Sequence, residues 1–184
     1  RSKMIAANVS QVIIVCAAEP AFSEAFLQRC LCACESENIH ILIILNKMDL
    51  PSSRLLLAQL SPYISMGYAV LPLAGIADCA PLLPYLDNQT SLLIGQSGMG
   101  KSTLINTLMP DEKRRTGGLS LSLNAGKHTT THAHLSHLNP VSHLIDSPGM
   151  QEFGLSHIEK TRLADTFPEF RVYLGQCRFA NCGH

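Results

Sequence analysis

The sequence predicts an α/β domain built on a mostly parallel sheet with helices on both faces. Three observations carry this reading. Short, continuously apolar runs, Val12–Ala18 within QVIIVCAA and ILIIL at Ile41–Leu45, have the length of strands buried on both sides. Segments with apolar residues at helical spacing alternate with these runs, as strand–helix–strand units require. A further apolar run, Leu92–Ile94, enters a glycine-rich turn that leads back into helical spacing at Leu104, Ile105 and Leu108.

The elements follow in order. After the strand Gln11–Ala18, Ser23–Glu37 reads as a helix whose Phe26, Leu27 and Leu31 mark its packed face. Ile41–Leu45 is the second strand and runs directly into Asn46-Lys47-Met48-Asp49. Ser52–Met66 is helical, capped by Ser52 or Ser53. Tyr68–Leu73 is the third strand, and Asp78–Leu86 a short helix interrupted by Pro81 and Pro84. The strand before the glycine-rich turn and the helix after it come next. Pro110–Lys127 carries Lys113, Arg114 and Arg115, then glycines and serines without periodicity, and is predicted to be a mobile surface loop. Thr131–Leu138 alternates, Asn139-Pro140 turns the chain, and Ser142–Ile145 returns as the second arm of a hairpin, with Asp146-Ser147-Pro148-Gly149 at its exit. His157–Phe170 is predicted to be helical as far as Pro168. There is no internal repeat.

Composition bounds the function. The chain has 184 residues, 46% of them hydrophobic, enough for one real core and a fragment of a second unit. Its 14 basic and 14 acidic residues balance, which excludes a strongly basic nucleic-acid binder overall. No apolar run approaches the ~20 residues of a membrane span, so no membrane partner is expected. The sequence begins Arg-Ser-Lys without an initiator Met, which leaves upstream sequence open. Cys16, Cys30, Cys32, Cys34 and Cys79 lie in apolar segments, where a reduced thiol acts as a small hydrophobe. On a helix Cys32 points away from Cys30 and Cys34, against a metal cluster. Such unpaired thiols imply a reducing, cytoplasmic setting.

The chemistry is organised around Ser91–Met109 (SLLIGQSGMGKSTLINTLM). Gly95, four intervening residues (Gln96, Ser97, Gly98, Met99), then Gly100, Lys101 and Ser102 form a phosphate-cradling loop in its strand–loop–helix setting. Glycines let successive backbone N–H groups converge on one anion, and the helix presents its positive end. Lys101 reaches the outer phosphates, the Ser102 hydroxyl ligates Mg²⁺, and Thr103 follows at the start of the helix.

Asn46-Lys47-Met48-Asp49 points to guanine. A carboxylate at Asp49 accepts from both guanine N1–H and the exocyclic amine, whereas adenine leaves that charge unpaired, a discrimination worth ~10⁴ or more. The Lys47 stem lies along the base, and Asn46 ties this loop to the phosphate loop. Downstream, Asp146 is placed to hold Mg²⁺ through water, and the Gly149 N–H to sense the γ-phosphate. Thr129, Thr130 and Thr131 offer a hydroxyl to complete the Mg²⁺ shell, and sequence does not choose among them. Thr130 stands with Lys101 and His128 as a catalytic candidate.

The order of these motifs is unusual. In Ras-like GTPases the phosphate loop comes first and the guanine motif near the end; here Asn46–Asp49 precedes Gly95–Ser102. Joined old termini and a new opening preserve the three-dimensional site, because domain termini often lie close together. The chain therefore resembles the circularly permuted P-loop GTPases. With its cysteine/histidine tail it is similar to the ribosome small-subunit-dependent GTPase family (RsgA, also called YjeQ). The matching stretches are IAANVSQVIIV, LNKMDL, GQSGMGKSTLINTL, GKHTTTHAHL, IDSPGMQEFGL and YLGQCRFANCGH.

That resemblance implies a cytoplasmic, monomeric GTPase that binds GTP and GDP with Mg²⁺. It implies a role in late maturation of the small ribosomal subunit, with the subunit and its rRNA as partners and as stimulus for hydrolysis. It also implies a permuted GTPase domain over 1–170 and the start of a zinc-binding module over 171–184. The resemblance further implies an N-terminal OB-fold domain, which is not expected within these 184 residues. Cys177, Cys182 and His184 are donors of the types zinc favours, and the family pattern places a fourth, a Cys, beyond residue 184. Nucleotide state at Asp146–Met150 is then expected to reposition that module.

Two departures bear on mechanism. The loop after Tyr68–Leu73 reads Leu73-Ala74-Gly75 where the family has Ser-Ala or Ser-Ser, so a backbone N–H can reach guanine O6 but a serine side chain cannot. Met150 stands where Ras-like proteins place a water-orienting Gln, which predicts slow unaided turnover and makes His128 a candidate replacement. Three other readings compete. A permuted GTPase for large-subunit assembly is opposed by the Cys/His tail. A metal-delivery GTPase is motivated by His128, His132, His134, His137 and His143, though alternation on a strand makes a polar face the plainer account. A GTP-binding scaffold that hardly hydrolyses is motivated by Met150.

Overall fold

The computed structural model describes residues 6–75, 77–110, 133–147, 154–176 and 178. Six strands form one sheet: β1 (Gln11–Cys16), β2 (His40–Leu45), β3 (Ala69–Pro72), β4 (Thr90–Ile94), β5 (His134–Asn139) and β6 (Ser142–Asp146), in the order β3-β2-β1-β4-β6-β5. All neighbouring pairs are parallel except β5 with β6. The mostly parallel sheet predicted from sequence is thus present, with one antiparallel edge strand.

The period-2 alternation of a strand explains the two cores. Along β1, Val12, Ile14 and Cys16 face one layer, where they meet Phe26, Leu27 and Leu31 of α1 (Glu24–Ser36) and Leu56 of α2 (Ser53–Gln59). Tyr63 of α3 (Ser61–Ser65) completes that layer. Ile13 and Val15 face the other layer with Leu86 of α4 (Leu83–Leu86) and Leu104 of α5 (Lys101–Leu108). Every residue of β1 is buried, which is why Val12–Cys16 reads as one continuous apolar run. Cys16, Cys30, Cys32, Cys34 and Cys79 are free and buried, as the apolar reading of these thiols anticipated. Burial pushes the Cys16 and Cys34 thiols up to about 12, so they stay protonated and inert.

Local chemistry sets the element ends. The Ser23 hydroxyl caps α1 by accepting the Phe26 N–H at 3.2 Å. The Ser52–Met66 helix divides into α2 and α3 because Pro62 supplies no N–H to continue the ladder. At the β5–β6 turn the Val141 N–H is accepted by the Asn139 side chain at 2.9 Å. The helix expected over His157–Phe170 is not formed. That stretch folds as three short 3₁₀ turns, Lys160–Arg162, Ala164–Thr166 and Pro168–Phe170. Pro168 breaks the run, Thr166 turns its hydroxyl back onto the Leu163 carbonyl at 2.7 Å, and only Ala164 and Thr166 are buried. The segment is held to α1 by the Arg171–Glu35 ion pair. Residues 111–127 of the expected loop lie outside the described residues, and among the described residues no helix is long and apolar enough to cross a membrane.

Candidate nucleotide-binding site

Parallel strands end on the same edge of a sheet, so the loops after β1, β2, β3, β4 and β6 gather there. β1 passes through α1 to β2 on one flank, while β4 pairs with its other flank. That reversal opens a crevice at the carboxyl ends, where open α/β sheets bind ligands. Gly95–Ser102 enters it from β4 and Asn46–Asp49 from β2.

The loop after β4 needs its glycines. Gly98 and Gly100 have φ of 82° and 95°, in the left-handed region. At Gly100 a Cβ would also overlap the Asn46 carboxamide nitrogen. α5 begins at Lys101, so the N–H groups of its first turn face the crevice. Lys101 is buried, and its ammonium donates to the Gly95 carbonyl at 2.6 Å and the Gln96 carbonyl at 3.1 Å. An ammonium has three donors, which leaves one for an incoming anion. Burial lowers the Lys101 pKa, and the nearby Asp146 opposes that shift. A buried cation with a donor to spare is suited to an anion.

Asp146 ends β6, opposite Leu93 of β4. Ser147 fixes this exit, its N–H and hydroxyl both donating to the Leu93 carbonyl, at 3.2 and 2.6 Å. Asp146 Oδ1 is buried without a hydrogen-bond partner among the described residues. Burial raises the Asp146 pKa, with Lys101 and then His134 pulling it back. A buried orphan carboxylate oxygen calls for an outside partner. A hydrated Mg²⁺ fits, with the exposed Ser102 hydroxyl at the head of α5 as a direct ligand.

The loop after β2 is locked on every side but one. The Asn46 side chain is buried, donating to the Met99 carbonyl at 3.0 Å and accepting from the Gly75 N–H at 3.0 Å. Lys47 adopts φ 60°, and its carbonyl is held by the Ser53 hydroxyl at 2.7 Å and the Leu50 N–H at 2.9 Å. The Met48 N–H donates to the Leu73 carbonyl at 3.0 Å. Asp49 is exposed, and no described residue hydrogen-bonds its carboxylate. This arrangement leaves a rigidly mounted acceptor, the geometry that reading a guanine edge needs.

Some contacts at the site follow from no sequence motif. Glu19 and Pro20 of the β1–α1 loop sit between the two motifs. The Glu19 carbonyl accepts the Lys47 ammonium at 2.6 Å and its carboxylate the Ser52 hydroxyl at 2.7 Å, while a Cβ on Gly98 would stand 3.0 Å from Pro20 Cγ. The Gln96 side chain accepts the Ser23 N–H at 2.7 Å, joining the phosphate loop to the cap of α1. Loop Glu19–Pro20 has no motif and was not expected at the site; its place after a parallel strand is the one signal that it had. His134 lies across from Asp146 in the β5–β6 register. The Gly75 N–H is already taken by Asn46, so within Leu73–Gly75 the Ala74 N–H remains as the donor for a base. His128, Thr129, Thr130, Thr131, Gly149, Met150, Cys177, Cys182 and His184 lie outside the described residues.

Fold and loops together define a P-loop GTPase-type domain in which the motif order is rotated around the chain. A sequence profile of the RsgA GTPase family matches residues 1–156, and the chain belongs to that family. It is 53% identical over its full length to the small ribosomal subunit biogenesis GTPase RsgA of Nitrosospira multiformis, covering 59% of that protein. It is 50% identical to the protein of the same name from Neisseria gonorrhoeae, covering 60% of it. The chain thus spans about three fifths of the length of these relatives. YjeQ from Thermotoga maritima superposes with a TM-score of 0.72 at 26% identity, over 96% of this chain and 60% of that one. YloQ, described as a circularly permuted GTPase, superposes with a TM-score of 0.70 at 29% identity, over 96% of this chain and 57% of that one.

Proposed function

We propose that this chain is the GTP-binding and GTP-hydrolysing part of a cytoplasmic, monomeric protein that acts in biogenesis of the small ribosomal subunit. The observation that carries the reading is the lock between the two motifs, the Asn46–Met99 hydrogen bond that holds Asp49 and Lys101 in one crevice. The names of the relatives support the subunit as partner.

In this reading Gly95, Gln96, Ser97, Gly98, Met99, Gly100 and Thr103 wrap the phosphates with backbone N–H groups. Lys101 spends its third donor on the outer phosphates, and Asn46, Lys47, Met48 and Asp49 recognise and hold guanine. Ser102, and Asp146 through a water, would hold Mg²⁺, which would offset the negative charge of the phosphates. One of Thr129–Thr131, Thr130 as candidate, completes that shell, and the Gly149 N–H meets the γ-phosphate. Water attacks the γ-phosphorus and GDP leaves. Met150 stands in sequence where Ras-like proteins place a water-orienting Gln, and a thioether cannot orient water that way, so turnover depends on the bound subunit, with His128 as the assisting candidate. Cys177, Cys182 and His184 supply two thiolates and an imidazole, three of the four donors of a structural zinc site.

Multiple-turnover GTP hydrolysis with and without purified small ribosomal subunits tests the proposal. The expected result is slow hydrolysis alone, strong stimulation by the subunit, and loss of most turnover in Lys101→Ala. Equal rates with and without subunits, or near-normal turnover in Lys101→Ala, would overturn it.

A further inference from the structure

Away from the nucleotide crevice, the antiparallel hairpin carries two imidazoles that the proposed reaction does not use. His137 on β5 lies directly across from His143 on β6. Side chains so paired stand close on one face of a sheet. Their Nδ1 atoms are 2.9 Å apart, and the rings meet edge to face with centroids separated by 4.8 Å. His137 is exposed and His143 half-buried, so the pair opens to water at the edge of the sheet.

The spacing has a chemical reading. Two nitrogens at ~2.0–2.1 Å from one ion, at right angles, stand about 2.9 Å apart, whereas a tetrahedral angle sets them about 3.3 Å apart. Without an ion, the same approach requires one ring to donate its Nδ1 proton to the other. When that ring's proton moves to its Nε2 through solvent, both Nδ1 atoms become neutral donors 2.9 Å apart, and a cation takes the proton's place between them. We propose that His137 and His143 form a bidentate site for a divalent transition metal of tetragonal preference, nickel(II) or copper(II), with water completing the shell. No third His, Cys, Asp or Glu joins them among the described residues, so this is an open surface chelate rather than a closed structural site. Occupancy ties β5 to the strand that ends at Asp146. The inference stands on the hairpin alone and does not depend on the nucleotide reading.

Nickel(II) titration of the whole chain by calorimetry, with thermal unfolding in parallel, provides the test. Cys177→Ser/Cys182→Ser as background separates imidazole from thiolate binding. The expected result is a fall of about tenfold or more in nickel affinity in His137→Ala and in His143→Ala. The double variant should be little weaker than either single one, because losing either ligand abolishes the chelate. His40→Ala, on β2, serves as an unaffected control. Copper(II) electron paramagnetic resonance should show coupling to two imidazole nitrogens, reduced to one in each single variant. Should Ala unfold the hairpin, Gln at either position removes the imidazole while keeping a polar group. Unchanged nickel affinity in the histidine variants, or binding that disappears only with Cys177 and Cys182, overturns the proposal.

Discussion

Asn46 and Met99, 53 residues apart in sequence, are joined by a 3.0 Å hydrogen bond from a buried carboxamide to a buried carbonyl. The same side chain accepts the Gly75 N–H, so three loops from three strands meet on one residue. Asn46→Ala strands both partners away from water at about 1–3 kcal/mol each. The expected outcome is a lower denaturant midpoint together with weaker GDP binding, followed by fluorescence of a labelled nucleotide. A loss of stability with unchanged affinity would remove Asn46 from the binding site.

Gly100 and Gly67 separate backbone strain from steric conflict. Both have positive φ, 95° and 97°, so a Cβ strains either, by roughly 1–2 kcal/mol. At Gly67 nothing lies within 4 Å, whereas at Gly100 the new atom overlaps Asn46. Gly100→Ala should therefore cost about 1–3 kcal/mol more than Gly67→Ala in chemical unfolding and should also impair nucleotide binding. Equal costs would mean that the crevice opens freely at Gly100.

Asp49 is exposed, and no described residue hydrogen-bonds its carboxylate, so its replacement touches recognition and little else. Asp49→Asn should leave the unfolding midpoint within about 0.5 kcal/mol of wild type. It should shift preference from GTP towards xanthosine triphosphate, whose extra carbonyl meets the new amide donor. Unchanged GTP affinity in a competition assay would refute the base contact.

The Asp146 carboxyl is held above its ordinary value of 3.8 by burial. Between that value and the raised one, the folded chain keeps a proton the unfolded chain has lost, so this group opposes folding as pH rises. Holding a Mg²⁺-bound water needs the ionised form. The Mg²⁺-dependent gain in GDP affinity should therefore fade on acidification at a higher pH than an ordinary aspartate would give. In Asp146→Asn that gain should be absent at every pH. A full Mg²⁺ effect in the variant would separate Asp146 from the metal.

Legibility differed by scale. The apolar runs of β1 and β2, the glycine-lysine-serine pattern and Asn46–Asp49 were readable because each is a local pattern with a local physical cause. The helix expected over His157–Phe170 was misread for the same reason: helical spacing is a weak signal where little surface is buried, and Pro168 and the Thr166 back-bond prevailed. Glu19, Gln96 as a tie to Ser23, and His134 beside Asp146 carried no pattern, because their partners are supplied by chain folding.

The sequence by itself determined which chemistry the chain carries. Residue types and short spacings specify a loop for phosphate, a carboxylate suited to guanine and a buried sheet beneath them, since those requirements act over a few residues. Only the tertiary structure decided that they share one crevice. The strand order β2-β1-β4 brings Asp49 and Lys101 to the same edge, β6 delivers Asp146 beside Lys101, and Gly75 rather than a ligand takes the Asn46 acceptor. Proximity between residues far apart in sequence depends on how strands pair, which no local pattern records.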